Sequence, residues 1–559
     1  MVGRDGCSPA AAEQPGCREM AHTQLHRQNL KGQIMASKTL FRSIVGKLLP
    51  KTNCANEAGG QAYAMAPQHA LAQYASTGCF GHTFYATGAE QLDRVLTICE
   101  SIEPEFIAKT ALVARRQGHM KDMPALLCAV LSVKGPGLLA EVFDRVIDNP
   151  KMLRNFVQIM RSGAVGRKSL GTLPKRLVVG WLESRTDEQL FTGSVGTAPS
   201  LADVVRMVHP KPASARRTAL YGYLLGREHD SAALPDVVQQ YEKFKRNTNP
   251  GKVPVPDVPF QMLTALPLTD RDWRQIARNA SWRTTRMNLN TFQRHNVFEE
   301  EEMVQLVANK LSNANEIEKS HVLPYQLLAA YLNAHNSVPQ RVRESLQEAM
   351  EISIRNVPHI AGKVYVFPDI SGSMRTPVTG ARPGATTTMR CIDVAALVAA
   401  AVLRRNPDAE VIPFESDVVE CPLNPRDSVM TNAQKLASLP CGGTNCSAPL
   451  AYLNRRQAKG DLVIYVSDNE SWIDSPRYGV FGGNATATMI EWNRFTKRSP
   501  QARMVCIDIQ PNTTTQGLEQ GNIVNVGGFS DQVFRLIADV ASGRFTQDHW
   551  IREIDNMRI

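Results

Sequence analysis

The stretch GKVYVFPDISGSM, residues 362–374, places one Asp and two Ser directly after a mostly apolar run. The apolar run predicts a buried strand, and Asp369, Ser371 and Ser373 follow at the point where that strand ends. One carboxylate and two hydroxyls form a ligand set suited to Mg²⁺ or another oxygen-loving ion. A simple turn is the alternative for one such motif, because Asp and Ser often hydrogen-bond their own backbone.

Two more loops favour the metal interpretation. Thr444 lies in the glycine-rich stretch CGGTN, residues 441–445, and Asp468 follows the apolar run LVIYVS, residues 462–467. Ligands of an open α/β sheet gather outside the carboxyl ends of its strands, so loops that are distant in sequence can converge on one ion. The region resembles the von Willebrand factor A domain family, whose metal-ion-dependent adhesion site is matched here by Asp369, Ser371, Ser373, Thr444 and Asp468.

The rest of residues 361–559 fits an α/β fold of that kind. Residues 391–405 have helical composition, and residues 409–414 and 503–509 read as strands. A helix over about 530–541 would close the domain. Alternation of apolar runs and helical segments predicts a doubly wound parallel sheet covered on both faces. Whether the metal site acts on a ligand or only holds loops together stays open at this point.

Length and composition bound the remainder of the chain. With 559 residues, two or three domains or a domain plus a repeat array are expected. No apolar stretch is long enough to span a bilayer, and no signal peptide is recognisable, so we expect a soluble cytoplasmic protein without membrane contact. The 11 Cys lack metal-binding spacing and are expected to be reduced. Residues 1–35 lack periodicity and are predicted to be a disordered extension.

Residues 36–360 read as an all-helical region. Short helices joined by brief polar or Pro-containing turns suggest repeats of the HEAT kind, with an irregular all-helical domain as the alternative. The predicted helices cover 92–102, 104–117, 123–133, 138–147, 152–160, 173–182, 201–208, 219–225, 234–244, 273–280, 300–311, 323–332 and 342–354.

Positive charge is concentrated in one part of this helical region. Residues 151–300 hold 23 Lys and Arg against 13 Asp and Glu, a net of +10 that equals the charge of the whole chain. A basic surface attracts polyanions, and phosphate contacts release counterions, so nucleic acid is the expected partner. The candidate RNA-binding residues are Arg167, Lys168, Lys175, Arg176, Arg206, His209, Lys211, Arg216, Arg217, Arg278, Arg283 and Arg286.

Each of these residues has an ordinary alternative, since a Lys or Arg on an amphipathic helix often only solvates its outer face. His209 alone would more often pack or cap a helix than contact RNA. Few side chains are available for base stacking, because aromatics make up 6% of the chain. Tyr221, Tyr223, Trp282 and Phe292 lie in the basic stretch and are candidates for stacking on unpaired bases.

Together, a basic helical region and a C-terminal A-like domain resemble the Ro ribonucleoprotein autoantigen family, of bacterial type, whose helical part is the TROVE module. The order of several short stretches along the chain carries this resemblance, which covers about residues 36–559. These stretches are 80–85, 166–168 with 175–176, 201–212, 263–268 with 277–279, and 321–328. The insertion at about 376–388 is a departure from the family pattern beside the first metal loop.

The resemblance implies a ring of helical repeats completed by the A-like domain at residues 361–559. It also implies that the ring cavity takes single-stranded 3′ ends of misfolded noncoding RNAs and that the basic outer surface holds small Y-like RNAs. By position in the family pattern, Arg206, His209, Lys211, Lys175 and Arg176 belong to that surface. A role in RNA quality control, a monomeric state and a 3′ exoribonuclease partner are further expectations from the family.

Three other functional classes are weighed against RNA binding. A nuclease or phosphatase lacks an evident general base, and two-metal catalysis usually needs more carboxylates, so we expect no enzyme. A metal-insertion chaperone subunit predicts an adjoining ATPase motif, and the sequence contains no P-loop. A metal-dependent protein-adhesion module without RNA binding stays the main alternative, although it gives the basic helical region no purpose.

Overall fold

The computed structural model describes residues 49–77, 85–196, 199–247, 252–320, 322, 324–355, 357, 359–378, 389–472, 485–510, 512–528, 531–543 and 548–559. The predicted N-terminal extension, most of the stretch 80–85 and most of the insertion at 376–388 lie outside these residues. No helix in this described part is long and apolar enough to cross a membrane. None of the cysteines described forms a disulfide.

Helices dominate residues 67–353. In chain order they are α1 Pro67–Thr77, α2 Gly88–Glu100, α3 Pro104–Arg116, α4 Asp122–Lys134, α5 Pro136–Val146, α6 Pro150–Ser162, α7 Thr172–Glu183, α8 Asp187–Thr192, α9 Leu201–Val208, α10 Ala215–Leu225, α11 Asp236–Lys245, α12 Asp270–Asn279, α13 Trp282–Met287, α14 Leu289–Arg294, α15 Glu301–Ser312, α16 Ala314–Ser320, α17 Pro324–Asn333 and α18 Gln340–Ser353. Every helix predicted from the sequence has a counterpart here, whereas α1, α8, α13, α14 and α16 were not predicted.

Local sequence explains where many of these helices begin. Thr87 caps α2 and Thr186 caps α8. In each case the Thr side chain accepts a hydrogen bond from the backbone N–H of the residue three positions later, whose side chain accepts one from the Thr backbone N–H. Such capping boxes satisfy backbone N–H groups that would otherwise lack partners. Ser200 and Thr269 cap α9 and α12 in the same way. Each short helix buries one apolar face against its neighbours, so the helices form one continuous core.

A five-stranded sheet forms the centre of the C-terminal domain. Its strands, in spatial order, are β4 Glu410–Val411, β3 Val364–Pro368, β5 Leu462–Ser467, β6 Arg503–Asp508 and β8 Ile523–Gly527, and all neighbours pair in parallel. The helices of this domain are α19 Cys391–Arg405, α20 Val429–Ala437, α21 Ala448–Arg455, α22 Ala487–Arg498, α23 Asp531–Ala541 and α24 His549–Asp555. The predicted fold class is confirmed.

Side chains alternate between the two faces of this sheet. On β3, Val364 and Val366 belong to the core that continues into the helical region, and Tyr365 and Phe367 belong to a second core with α21 and α22. This alternation is what a strand's period of two residues requires. The predicted strand at 409–414 is shorter than expected, because only two of its residues pair continuously with β3, while Phe414 forms an isolated bridge with Asp369.

An N-terminal hairpin packs on the C-terminal domain, which the sequence did not predict. Strands β1 Cys54–Ala55 and β2 Gln61–Ala64 pair antiparallel, and β2 also pairs with β7 Thr514–Thr515. Helices at both ends of the helical region contact the C-terminal domain: α1 and α3 reach β8 and α24, while α17 and α18 reach α19 and α20. Both ends of the helical region therefore contact the sheet domain.

Candidate metal centre and nucleic-acid interface

The first metal loop begins where β3 ends, and its residues are buried. Ser371 N–H donates to Oδ1 of Asp369 at 2.8 Å, and the Ser467 hydroxyl donates to its Oδ2 at 2.5 Å. The Ser371 and Ser373 hydroxyl oxygens lie 3.2 Å apart. Asp369 and Ser371 are fully buried, and Ser373 is nearly so. The loop therefore holds one carboxylate and two hydroxyls in a fixed, water-poor arrangement.

The second loop carries Thr444 and is pressed against the first. Gly372 N–H donates to the Gly442 carbonyl at 3.0 Å, which ties the two loops together. A Cβ at Gly442 would collide with the Glu415 carboxylate, and one at Gly443 would collide with the Trp472 indole. The glycines thus allow the close approach that brings the buried Thr444 beside the first loop.

Asp468 completes the set from the end of the neighbouring strand β5. Its Oδ1 accepts from Glu470 N–H at 3.4 Å, and the Ser373 hydroxyl lies beside its carboxylate. Its Oδ2 is buried and has no hydrogen-bond partner among the described residues. Burial and the neighbouring Asp468 carboxylate raise the pKa of Asp369 to about 7, and burial likewise raises the pKa of Asp468.

These observations test whether the residues fit a divalent cation, and they do. Two buried carboxylates oppose each other's ionisation, which a cation between them would reverse. The orphan carboxylate oxygen needs a partner, because leaving a buried charge uncompensated is costly. Carboxylate and hydroxyl donors suit Mg²⁺ better than a softer metal. The structure brings the predicted ligand residues to one edge of the sheet.

Sequence reasoning missed three further groups around this centre. Glu470 is buried, and its carboxylate accepts from Glu57 N–H at 2.8 Å and from Ala58 N–H at 3.3 Å in the N-terminal hairpin. Asp508, at the end of β6, accepts from the Gln73 amide of α1. Burial raises the pKa of both carboxyls. Because their partners come from residues 57–73, no local motif could reveal them.

The third missed group is Tyr85, which belongs to the segment just before α2. Its hydroxyl lies beside the side chain of Ser373, one of the metal loop residues. Burial and the carboxylates of Asp468, Glu470 and Asp369 raise the pKa of Tyr85, so the phenol stays neutral. A residue between α1 and α2 of the helical region therefore lies at the candidate metal centre.

Most of the predicted RNA-binding residues lie at the surface of the helical region. The exposed ones are Lys168, Lys175, Arg176, Arg206, His209, Lys211, Arg216 and Arg283, and the partly buried ones are Arg167, Arg217, Arg278 and Arg286. His209 caps the C-terminus of α9 in the left-handed conformation, with φ 49°, and turns the chain toward Lys211. The loop after α9 therefore presents His209 and Lys211 to solvent.

Several of the predicted arginines are already engaged within the protein. Arg217 donates to the carbonyls of Leu182 at 2.9 Å and Arg185 at 2.6 Å, and it pairs with Asp187. These contacts hold α10 against the turn between α7 and α8. The guanidinium of Arg217 thus has a visible structural role. An RNA contact by this residue stays a prediction.

Three exposed or partly exposed arginines form looser ion pairs. Arg206 pairs with Asp203 at 3.0 Å, Arg216 with Glu188 at 2.7 Å and Arg278 with Glu302 at 2.8 Å. Such surface pairs contribute little to stability and can be exchanged for a phosphate. These arginines therefore stay available as phosphate contacts.

A cation-lined cavity of about 420 Å³ lies between the α3–α4 turn and helices α13 and α16. Among its lining residues, sequence reasoning named Arg283 as an RNA-binding cation and Trp282 as a stacking candidate, and no others. The full lining is Arg115, His119, Lys121, Ser281, Trp282, Arg283, Glu316, Lys319 and Ser320. We call this opening the basic cavity. It is assembled from segments about 160 to 200 residues apart, which is why no local charge count found it.

Like charges crowd the basic cavity. Burial and the nearby cations of Arg283, Lys151 and Arg115 lower the pKa of Lys121. Arg286 lies next to Arg283, and burial together with that neighbour lowers the pKa of Arg286 to about 10. Mutual repulsion of this kind creates a strongly positive potential that a bound anion would relieve.

The expectation that four aromatic residues stack on bases is wrong for three of them. Tyr221, Trp282 and Phe292 are buried in the helical core, with exposures of 6%, 2% and 1%. Trp282 donates its indole N–H to the Leu311 carbonyl at 3.0 Å. Tyr223 donates its hydroxyl to Glu242 at 2.7 Å and packs on Phe191. Amphipathic helices direct their largest apolar side chains toward the core, so these aromatic residues stabilise the helical region instead of facing solvent.

Comparison with known proteins points to one family. Residues 363–541 match the family model described as the Ro60 vWA domain. The chain is 25% identical to the RNA-binding protein RO60 of Deinococcus radiodurans over 474 residues, which cover 78% of this chain and 88% of that protein. It is 20% identical to the RNA-binding protein RO60 of Caenorhabditis elegans over 183 residues, or 31% of this chain and 28% of that protein.

A solved structure has the same fold. The crystal structure of the Deinococcus radiodurans RO (RSR) protein aligns with a TM-score of 0.58 and 19% sequence identity, covering 86% of this chain and all of that one. The family resemblance predicted from the order of short motifs is confirmed.

Proposed function

Because the chain is similar to Ro proteins in sequence and in fold, we propose that it is an RNA-binding protein that sorts noncoding RNAs and carries out no catalysis of its own. The observation that carries this proposal is the concentration of cations on the helical region, including the basic cavity. Two curated relatives bear the name RNA-binding protein, which supports an RNA partner. The finer assignments rest on the geometry of the cations.

The basic cavity is our proposed site for a single-stranded RNA 3′ end. Its volume of about 420 Å³ is suited to a strand end of one or two nucleotides rather than to a duplex end. Lys121, Arg283 and Lys319 would hold the phosphates, and the repulsion among these cations would fall when an anion enters. Since the aromatic side chains nearby are buried, affinity at this site would depend more on phosphate charge than on base stacking.

The exposed cations of α7 and of the turn after α9 are our proposed surface for a structured, Y-like RNA. Lys175 and Arg176 lie on α7, and His209 and Lys211 follow α9. Helices α7 and α9 pack against each other, so these cations can face one RNA. Phosphate contacts of this type would position an RNA without reading its sequence.

The metal centre has a separate proposed role. Asp369, Ser371, Ser373, Thr444 and Asp468 would hold a divalent cation, with Mg²⁺ the best match to the oxygen donors. When bound, such an ion offers a coordination position to an acidic side chain of a partner protein. A 3′ exoribonuclease as that partner, a monomeric state and a cytoplasmic location all stay predictions.

Tailed and blunt RNAs of otherwise identical sequence test the RNA proposal. A hairpin with a single-stranded 3′ tail is titrated over a range of salt concentrations beside the same hairpin with a blunt end. We expect the tailed hairpin to bind more tightly, and we expect a Lys121→Ala, Arg283→Ala double variant to lose that preference. A Lys497→Ala variant, which removes an exposed cation from α22, is the matched control. Equal or negligible binding of both RNAs would overturn the proposal.

If RNA binding is absent, the metal-dependent protein-interaction module is the remaining function. It predicts that the protein binds acidic partners in Mg²⁺ and releases them in EDTA, with no effect of the basic-cavity variants. Comparing the two assays in the Asp369→Ala variant separates the functions. Loss of RNA binding in that variant would mean that the metal loops support the helical region.

A further inference from the structure

A second group of metal-ligating side chains lies outside the adhesion-type centre. His69 in the first turn of α1, Glu519 in the loop between β7 and β8, and Asp548 just before α24 each direct one donor atom to a common point. The three donor atoms all lie within 4.8 Å of one another. Helix α1, the sheet domain and the C-terminal helix meet at this point.

The distances within this group are too long for ordinary hydrogen bonds. Nε2 of His69 lies 3.5 Å from Oε2 of Glu519 and 3.7 Å from Oδ1 of Asp548, whereas an N–H···O bond is usually about 2.7–3.2 Å. Nε2 is buried and makes no well-formed hydrogen bond with any described residue. Ligand bonds of about 2.0–2.1 Å put two ligands of a tetrahedral Zn²⁺ about 3.3 Å apart, close to the observed spacing.

Charge favours a cation at the same point. Among the described residues, neither Glu519 nor Asp548 forms an ion pair with a Lys or Arg, and His69 is their only cationic partner. Two carboxylates with a protonated imidazole carry a net charge of −1. The same carboxylates with a neutral imidazole and a divalent ion carry none.

We propose that His69, Glu519 and Asp548 form a Zn²⁺ site that links α1 to the sheet domain and to α24. One imidazole nitrogen and two carboxylate oxygens are ligands that Zn²⁺ accepts, and a water can take the fourth position. His69 and Glu519 are 16% and 15% exposed, while Asp548 is 50% exposed and leaves a path from solvent. The ion would stabilise the contact between α1, at the start of the helical region, and the sheet domain.

Spectroscopy of the Co²⁺ form tests this site in the full-length protein. The Asp369→Ala variant is used as the background, so that the adhesion-type centre does not contribute. We expect visible d–d bands of tetrahedral Co²⁺ without a near-ultraviolet thiolate band, and we expect Zn²⁺ to displace the Co²⁺. Thiolate absorption, or no tetrahedral spectrum, would overturn the proposal.

Substitutions of the three side chains test whether they are the ligands of the bound metal ion. In the same background, Glu519→Gln and Asp548→Asn should weaken Zn²⁺ binding at least tenfold by calorimetry, and His69→Ala should abolish it. His335→Ala, at an exposed His of the helical region, is the matched control and should bind like the background. Zn²⁺ should raise the melting temperature of the background but not of these three variants. Unchanged Zn²⁺ affinity in all three would mean that the group is an ion pair only.

Discussion

The metal loops and the basic helical surface differ in how they are built. At the metal loops, buried side chains are fixed by short hydrogen bonds, and exchanging any one of them would remove a ligand. On the helical region, exposed cations are spread over helices and turns, and several form surface ion pairs that can be exchanged. Coordination needs a fixed geometry, whereas attraction of phosphates needs only local charge.

This difference explains what each region reveals in sequence. Metal ligands at the ends of two strands produce a motif with fixed spacing in the sequence. A basic surface produces only an excess of Lys and Arg. We therefore expect single substitutions to have large, all-or-none effects at the metal loops and small, additive ones on the RNA surface.

Metal removal should give the largest change, and it should depend on pH. The folded-state pKa of Asp369 is raised to about 7, so without metal the folded protein binds more protons than the unfolded chain between roughly pH 4 and 7. Stability in EDTA should therefore be highest near pH 4 and fall as the pH rises through 7, apart from changes at other groups. The measurement is urea unfolding across pH, in EDTA and in Mg²⁺.

The control for this prediction is Asp369→Asn, which removes one of the two opposed carboxylates. Its stability in EDTA should vary less with pH, and Mg²⁺ should stabilise it less than wild type. At pH 8, Mg²⁺ at 100 times its dissociation constant should add about 2.7 kcal/mol to the wild-type unfolding free energy. An identical pH profile in Mg²⁺ and in EDTA would contradict a cation at this centre.

Arg217→Ala should give the next largest change, in stability. The substitution leaves Asp187 and the carbonyls of Leu182 and Arg185 without their partner, so we expect the unfolding free energy to fall by about 2 kcal/mol. Denaturant unfolding of the variant measures this loss. Arg176→Ala, at an exposed cation on α7, is the comparison and should unfold like wild type. Equal stability of the two variants would show that Arg217 has no structural role.

The basic cavity should show an intermediate effect on RNA. Removing two cations with Lys121→Ala and Arg283→Ala should weaken binding of a tailed hairpin by about tenfold, or 1.4 kcal/mol. The slope of log affinity against log salt should fall by about one for each phosphate that the variant no longer neutralises. Weaker binding with an unchanged salt slope would argue against phosphate binding in the cavity.

The smallest effect is expected at a single exposed cation. Lys211→Ala should weaken binding of a structured RNA by about threefold, with a slope change of about one and no change in stability. Tailed and blunt hairpins should be affected equally, because the residue lies on the outer surface and not in the basic cavity. If the variant bound only the tailed hairpin more weakly, the 3′ end would bind at this turn and not in the basic cavity.

The fold and the metal loops could largely be predicted from the sequence, because apolar runs mark buried strands and the ligands follow them directly. The roles of the cations could not be predicted, because an Arg in the sequence does not show which distant residue it will contact. Arg217, for example, pairs with Asp187, 30 residues earlier in the chain. Lys121 and Lys319 went unnoticed because the basic cavity joins distant helices. Strands β1 and β2 were missed because they are only two and four residues long, and because β2 also pairs with β7, far along the chain.

One measurement tests the central claim most directly. A tailed hairpin with a photoreactive uridine at its 3′ terminus is cross-linked to the protein, and the modified peptides are identified by mass spectrometry. The account predicts cross-links within residues 115–121, 281–283 and 316–320, which contain the lining of the basic cavity, and their loss when the tail is removed. Cross-links that fall mainly on the sheet domain, or that do not depend on the tail, would contradict it.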